Sequence, residues 1–256
     1  MIDLHCHVLP GVDDGPAAVD GSLALARRAR ADGIATIAAT PHVDWAHPEL
    51  DAGRIGAAVR ALQPQLGAAG VDLRVVAGAE VAHTRALELD DAQLRALTLG
   101  GGPWLLLECP LSQSAAPGFA TAARVLASRG HRLLLAHPER SPVFLSAPQL
   151  LEELVAEGML AQVTASALTG RFGRTVRDLA HRLVEREAIH VAASDGHGES
   201  RPATIAYELH EAQLDPALAD WLSRAVPAAL LAGEPPPERP HAPRGPLARL
   251  RRRLVR

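Results

Sequence analysis

The sequence predicts an α/β fold in which a parallel sheet is wound into a distorted seven-stranded (β/α) barrel. Seven short apolar runs alternate with longer amphipathic segments, a pattern typical of βα units around a parallel sheet. Most of the polar residues that could carry chemistry follow directly after these runs. Single-domain α/β barrels commonly have about 250 residues, so the 256 residues of this chain fit one main domain.

The predicted strands are apolar runs of four to six residues. The segments between them include four with the periodicity of amphipathic helices, Ser22–Ala31, Ile55–Ala68, Phe119–Ser128 and Thr175–Arg186. Since there are seven runs rather than eight, we expect an incomplete or distorted relative of the eightfold barrel. In chain order, the predicted strands are Met1–Leu4, Ile34–Ala39, Leu73–Ala77, Trp104–Leu107, Arg132–Ala136, Leu160–Thr164 and Ile189–Ala193.

Composition and charge exclude several classes of protein. The net charge of −3 argues against a nucleic-acid-binding protein. Two cysteines, Cys6 and Cys109, do not make a disulfide scaffold, and both are expected to lie in the core. The N-terminus has no basic-then-apolar signal pattern, and no apolar run approaches the ~18 residues of a membrane span. The predicted location is therefore the cytoplasm.

The C-terminal part differs in composition from the rest of the chain. The segment Glu234–Pro243 contains five prolines, which excludes regular structure and predicts a linker. Arg244–Arg256 contains six arginines and forms a basic tail. We therefore divide the chain into a catalytic domain at 1–233 and a linker with a tail at 234–256. The tail is either a solvated end or a surface that meets acidic membrane lipid or an acidic partner.

Nine histidine and acidic residues lie just past, or in the loops after, the ends of the predicted strands. In βα barrels the loops at this rim converge on one mouth, where active sites are built. His5 and His7 form a His-x-His pair, whose rings share one face because side chains along a strand alternate. Asp195 and His197 repeat this spacing. The nine candidates are His5, His7, Asp14, His42, Glu80, Glu108, His137, Asp195 and His197.

The donor types indicate a metal cluster. Five imidazoles and four carboxylates form a mixed nitrogen and oxygen set, which suits Mn, Fe, Zn or Ni better than Ca or Mg. Nine donors are more than one ion requires, so bridging carboxylates and two or three ions are expected. A single His-x-His pair is a weak signal, whereas nine donors that are all placed at strand ends or in the loops after them are a strong one.

The candidate ligands lie in short motifs. These are MIDLHCHVLPGVDDGP at Met1–Pro16, TPH at Thr40–His42, GAE at Gly78–Glu80, LLE at Leu106–Glu108, HPER at His137–Arg140 and ASDGH at Ala193–His197. Together they resemble the motifs of a known family, the PHP-type (polymerase and histidinol phosphatase) protein-tyrosine phosphatases of bacterial capsule and exopolysaccharide loci. The similarity extends over about residues 1–205, and within the superfamily the pair GVDDG and HPER is specific to this branch.

The resemblance implies a cluster of three metal ions, usually manganese, although iron or zinc would also suit the donors. It implies that Arg140 binds the substrate phosphate, and that Arg201 is a second arginine of this kind. Glu80 would bridge the first two ions. By this resemblance the first ion is held by His5, His7, Glu80 and Asp195, the second by Glu80, Glu108 and His137, and the third by Asp14, His42 and His197.

The chain departs from the family pattern at three positions. Members commonly have Gln at the position of Ala79 and Ala at the position of Gly196. An aromatic residue often follows the HPER motif, where this chain has Ser141. None of these changes removes a predicted ligand.

The leading functional hypothesis is metal-dependent hydrolysis of phosphotyrosine on a protein, with a bacterial tyrosine kinase of capsule or exopolysaccharide production as the partner. A cysteine phosphatase is excluded because the residues six positions after Cys6 and Cys109 are Val12 and Ala115, not Arg. Two alternatives remain open. One is a small-molecule phosphatase that acts on a substrate such as histidinol phosphate, and the other is a non-catalytic adaptor that binds a kinase tail.

Overall fold

The computed structural model describes residues 1–240. Within this part, nine parallel strands form the centre of the fold and helices connect them. The predicted α/β fold with a parallel sheet architecture is confirmed. The strands are β1 (Ile2–Cys6), β2 (Thr36–Ala39), β3 (His42–Val43), β4 (Arg74–Ala77), β5 (Glu80–Ala82), β6 (Trp104–Glu108), β7 (Arg132–Ala136), β8 (Leu160–Thr164) and β9 (Val191–Ala193).

The helices include the four that the sequence predicts, with boundaries shifted by at most three residues. Leu99–Gly101 and Pro138–Arg140 form 3₁₀ turns, and Trp221–Ala225 forms a π-helical turn. The α-helices are α1 (Val19–Ala31), α2 (Ala52–Ala68), α3 (His83–Ala86), α4 (Asp91–Ala96), α5 (Phe119–Ser128), α6 (Pro142–Ser146), α7 (Gln149–Ala156), α8 (Ala165–Leu168), α9 (Arg174–Glu185), α10 (Ala206–Glu211), α11 (Pro216–Asp220) and α12 (Val226–Ala232).

The described strands form two sheets, of three strands in the order β1-β2-β4 and of six in the order β3-β5-β6-β7-β8-β9. The prediction of seven strands did not include β3 and β5, which follow β2 and β4 in the chain but belong to the other sheet. Pro41 lies between β2 and β3, where it has no N–H to donate to a ladder. Gly78 lies between β4 and β5, where an added Cβ would come within 2.9 Å of Leu99 Cδ2. A larger residue at this position would therefore make the Leu99 side chain shift, so glycine favours the close packing.

Irregular backbone contacts join β1 to the end of β9. Cys6 forms an isolated parallel bridge with Gly196. The Asp195 N–H donates to the His5 carbonyl at 2.8 Å, and the His7 N–H donates to the Gly196 carbonyl at 2.8 Å. Asp3 supports this junction, because its Oδ1 accepts from the Ser194 N–H at 3.0 Å. The two sheets therefore meet at this edge without regular ladder pairing.

The core lies on both faces of the strands. All five residues of β8 are buried, and Leu105, Leu106 and Leu107 of β6 are fully buried. Continuous apolar strands of this kind are typical of parallel sheets that are covered by helices on each side. Cys6 and Cys109 are buried in this core, as predicted. Within residues 1–240, none of the helices combines the length and apolar character needed to cross a bilayer.

The described beginning of the proline-rich segment packs against the domain. Residues 234–240 have no regular secondary structure, as the prolines predict. Arg239 nevertheless donates to the Ile189 carbonyl at 2.7 Å and to the Val184 carbonyl at 2.9 Å. Its guanidinium lies 5.1 Å from the centre of the Trp221 ring, and Trp221 Nε1 donates to the Pro237 carbonyl at 3.0 Å. The basic tail, Arg244–Arg256, lies outside the described residues.

Candidate metal centre

The nine predicted ligands lie together at the carboxyl ends of the strands. They form four overlapping groups in which the donor atoms are within 4.8 Å of one another. Every predicted ligand belongs to at least one group, and among residues 1–240 the groups include no other residue. The groups are His7–Asp14–His42–His197, His5–His7–Glu80, His5–His137–Asp195 and His42–Glu80–Glu108.

Glu80 lies at the centre of the cluster. Its Oε2 is 3.2 Å from His5 Nε2, 3.4 Å from His7 Nε2 and 3.2 Å from His42 Nδ1. Its Oε1 lies 2.7 Å from His137 Nε2. Burial alone would raise the pKa of Glu80, but the rings of His5 and His137 outweigh it and hold that pKa well below its usual range. An ionised carboxylate among four imidazoles has the position of a bridging ligand.

The groups agree only in part with the arrangement that the resemblance implies. His5, His7 and Glu80 lie together, and Asp195 Oδ1 is 3.4 Å from His5 Nε2. Asp14, His42 and His197 also lie together, as implied for the third ion. The second implied set is divided, because Glu108 groups with His42 and Glu80 whereas His137 groups with His5 and Asp195.

Glu108 differs electrostatically from Glu80. Burial and the nearby charge of Glu80 raise the pKa of Glu108 to about 8. Two carboxylates that are close together and lack a compensating cation resist simultaneous ionisation. A divalent ion between them would remove this penalty, so the arrangement fits a cation site.

Polar residues that were not predicted from the sequence lie behind the predicted ligands and contact their imidazoles. Asp13 Oδ2 lies 2.6 Å from His7 Nδ1, and Gln162 Oε1 lies 2.9 Å from His5 Nδ1. Burial tends to lower the pKa of His7, but hydrogen bonds to Asp13 and Glu80 prevail and raise it to about 10. Such partners fix which ring nitrogen faces a metal. Of the two, only Asp13 had a sequence signal, since it is the first of the paired aspartates in GVDDG.

Two of the predicted ligands have an unusual backbone conformation. His137 has φ of 37° and Asp195 has φ of 51°, both in the left-handed region. His137 directly follows β7, and Asp195 lies in the turn after β9. Non-glycine residues with positive φ are uncommon and concentrate at functional sites, where the surrounding structure enforces them. These turns redirect both side chains into the cluster.

The two predicted phosphate-binding arginines meet on one carboxylate. Arg201 Nη2 lies 2.5 Å from Asp195 Oδ2, and Arg140 Nη1 donates to the same oxygen. The other oxygen, Asp195 Oδ1, faces His5, His7 and His197. Arg201 Nε is buried and has no hydrogen-bond partner among the described residues. Both arginines therefore lie at the edge of the cluster, and one of them keeps an unused buried donor.

The donor set fits a group of divalent cations. Two imidazole nitrogens in the cluster face carboxylate oxygens without an aligned hydrogen bond: His42 Nδ1 lies 3.2 Å from Glu80 Oε2, and His197 Nε2 lies 3.2 Å from Asp14 Oδ1. Nitrogen and oxygen donors that lie this close together without an aligned hydrogen bond fit ligands that converge on a shared cation. Imidazole and carboxylate together suit Mn, Fe or Zn.

The family can now be assigned. The sequence matches the family described as "Capsular polysaccharide synthesis, CpsB/CapC" over residues 1–212. The chain belongs to the CpsB/CapC family. The resemblance found from the short motifs is thereby confirmed.

Named relatives of this CpsB/CapC chain are phosphatases. It is 35% identical over 198 residues to the tyrosine-protein phosphatase YwqE of Bacillus subtilis, covering 77% of each chain. It is 28% identical over 210 residues to the tyrosine-protein phosphatase CpsB of Streptococcus pneumoniae, covering 79% of this chain and 85% of the relative. The fold matches a crystal structure from a study of YwqE and CpsB, described there as unique metal-dependent tyrosine phosphatases. That match has a TM-score of 0.79 and 29% identity, and covers 94% of this chain and 100% of the other.

The absent aromatic after HPER has a structural counterpart in this CpsB/CapC chain. Ser141 is buried, and its hydroxyl donates to the Pro110 carbonyl at 2.7 Å. The ring of Phe172, which follows α8, lies instead against Arg140, with 4.3 Å between the guanidinium carbon and the ring centre. An aromatic side chain therefore flanks the predicted phosphate arginine although it comes from a different loop.

Proposed function

We propose that this protein hydrolyses phosphotyrosine on a protein substrate with a cluster of two or three divalent metal ions. The observation that carries the proposal is the convergence of nine metal-type donors beside two arginines. The names of the relatives YwqE and CpsB support the same activity. The proposed substrate is a bacterial tyrosine kinase of capsule or exopolysaccharide production, which agrees with the family's place in capsular polysaccharide synthesis. The proposed location is the cytoplasm.

The proposed ligands are all nine clustered residues, with Glu80 as the bridge. His5, His7 and His42 all lie within 3.4 Å of Glu80 Oε2, and His137 lies 2.7 Å from Glu80 Oε1. Manganese is the proposed metal, and iron or zinc also suits this donor set. When bound, divalent ions in such a site supply a water of lowered pKa and positive charge against the phosphate.

Arg140 and Arg201 are the proposed phosphate-binding residues. Each guanidinium has five N–H donors in a planar fork, which matches the oxygens of a phosphate. Asp195 Oδ2 orients both, and the buried Arg201 Nε has a donor to spare. Positively charged groups placed against the equatorial oxygens stabilise a phosphoryl group during its transfer. A phenol has a pKa of about 10, so a tyrosine leaving group needs little protonation.

The finer architecture is part of the proposal. We regard β2 with β3, and β4 with β5, as two broken strands, so that seven strands surround the cluster in a distorted barrel. The contacts between β1 and the end of β9 support closure at that edge. The catalytic domain is proposed at 1–233, and peripheral membrane contact is proposed for the basic tail.

The experiment compares substrates on protein of measured metal content. Manganese-loaded protein should hydrolyse a phosphotyrosine peptide, and removal of the metal with a chelator should abolish this activity until manganese is restored. Histidinol phosphate tests the small-molecule alternative, and a phosphoserine peptide tests selectivity for tyrosine. Faster turnover of histidinol phosphate would reverse the assignment. Full activity of verified metal-free protein would contradict the metal proposal, and an inactive metal-loaded protein that binds a kinase tail would favour the adaptor.

A further inference from the structure

We propose that Phe172 is a positioning residue that holds Arg140 in the orientation that binds phosphate. This inference rests on the proposed function. The Arg140 guanidinium carbon lies 4.3 Å from the centre of the Phe172 ring. Only 13% of the Arg140 side chain is exposed. A guanidinium within about 6 Å of a ring centre is attracted by the negative face of the ring.

The Phe172 contact completes a three-sided support for Arg140. The backbone N–H of Arg140 donates to the His137 carbonyl at 3.0 Å, which ties Arg140 to the loop of that predicted ligand. Its Nη1 donates to Asp195 Oδ2. The backbone of Arg140 and one edge of its guanidinium are thus held, but these two contacts leave the guanidinium plane free to rotate. A ring against one face removes that freedom, and a planar donor must have the correct tilt for bidentate phosphate contact.

The loop that carries Phe172 is itself anchored. Thr169 Oγ1 donates to Glu208 Oε2 at 2.6 Å, and Arg171 Nη1 donates to the Ser200 carbonyl at 2.9 Å. Gly170 and Gly173, with φ of 94° and 91°, form the turn around the ring. Because Ser200 directly precedes Arg201, the same loop is tied to the segment of the second arginine. The stretch of loop just before the ring is therefore held by two tertiary contacts.

Two other roles for Phe172 make different predictions. As a core residue alone it would affect stability, since it also packs against the hydrophobic core. As a direct contact to the substrate ring it would act independently of Arg140. A positioning residue acts only through the guanidinium, so its effect should disappear when Arg140 is absent.

The test uses a double-mutant cycle on the full chain loaded with manganese, with a small aryl phosphate as the substrate. Phe172→Leu keeps apolar volume and removes the ring face, whereas Phe172→Tyr keeps the face. Tyr207→Leu is the matched control, since that side chain is 54% exposed on α10. Phe172→Leu should lower kcat/KM about three- to tenfold, the range of one cation–π contact. Metal content and Tm should stay near wild type, and Phe172→Tyr should retain activity within about twofold.

The double variant decides the mechanism. Arg140→Ala with Phe172→Leu should be no slower than Arg140→Ala alone. Wild-type kinetics of Phe172→Leu, or losses that multiply in the double variant, would overturn the positioning role while leaving the phosphatase assignment intact. A metal-loaded wild type that is inactive on phosphotyrosine would overturn the proposed function and this inference together.

Discussion

Arg201 Nη2 and Asp195 Oδ2 lie 2.5 Å apart, while Asp195 Oδ1 lies 3.4 Å from His5 Nε2. A single carboxylate thus joins the ligand cluster to an arginine, and Arg140 contacts the same Oδ2. Burial would raise the pKa of Asp195, but nearby histidines and Arg201 outweigh it and hold that pKa below its usual range. The proposed metal centre and the proposed phosphate site would therefore share one charged residue.

The first prediction concerns Arg140. Arg140→Ala should lower turnover at least tenfold on both a phosphotyrosine peptide and a small aryl phosphate, because a guanidinium on the transferring phosphoryl oxygens is lost. Metal content and Tm should change little. The matched control is Arg124→Ala, which removes a surface ion pair to Glu157 at 2.7 Å and should leave turnover unchanged. Wild-type turnover of a metal-replete Arg140 variant would end the phosphate assignment.

The second prediction tests the bridging position of Glu80. Glu80→Gln preserves the size of the side chain and removes its negative charge, so the cluster should lose at least one equivalent of metal and nearly all activity. Elemental analysis after dialysis measures the metal directly. Glu157→Gln, on a 41% exposed side chain, serves as the control. A Glu80 variant that retains full metal occupancy would show that its carboxylate is not a bridge.

The third prediction concerns Asp13, which the structure places behind His7. Asp13→Ala removes the 2.6 Å contact to His7 Nδ1 and the acceptor for the His42 N–H at 3.1 Å. Loss of such a partner typically costs about 10- to 100-fold in metal affinity or activity. Competition with a metal-binding dye gives the affinity. The exposed Asp20→Ala is the control, and equal affinity in the two variants would contradict an orienting role.

The fourth prediction concerns the packed beginning of the proline-rich segment. Arg239→Ala removes two hydrogen bonds to carbonyls and a contact with the Trp221 ring. We expect the free energy of unfolding to fall by about 1–3 kcal/mol, since the lost donor is charged and partly buried. Urea denaturation measures this, with Arg186→Ala as the control because it breaks only a surface pair to Glu152. A chain that ends at Gly233 should lose at least as much stability as Arg239→Ala. Urea midpoints equal to that of the wild type in both proteins would refute a stabilising role for this segment.

The fifth prediction is a pH dependence from His190. Burial, and then the charge of Arg239, lowers the pKa of His190 from 6.5 to about 4. The unfolded chain therefore binds this proton more readily than the folded one, so the contribution of neutral His190 is complete above pH 6.5 and is lost as the pH falls towards 4.

The contribution of neutral His190 to the free energy of unfolding is on the order of 2–3 kcal/mol. The slope of stability against pH between 4 and 6.5 should be smaller in His190→Gln than in the wild type. His210→Gln, on an 87% exposed ring, should keep the wild-type slope. Identical slopes in all three proteins would show that His190 has an ordinary pKa in the folded state.

The order of strands and helices was predictable because it depends on local patterns. Buried parallel strands require contiguous apolar runs, and the seven predicted runs correspond to β1, β2, β4 and β6 to β9. The short strands β3 and β5 were not predictable in this way. They have two and three residues, and each pairs with a neighbour that lies far away in sequence. Their breaks at Pro41 and Gly78 are visible in the sequence only as single residues.

The sequence by itself determined which residues could be ligands and at which end of the strands they lie. The first depends only on the residue type, and the second only on the position of the nearest apolar run. Only the tertiary structure decided what supports them. Gln162 faces His5 across 157 residues of chain, and Phe172 reaches Arg140 from another loop. Arg239 contacts Ile189 from 50 residues away. These contacts depend on which strands are neighbours in the sheets and on the paths of the loops, and no local pattern of side chains encodes either.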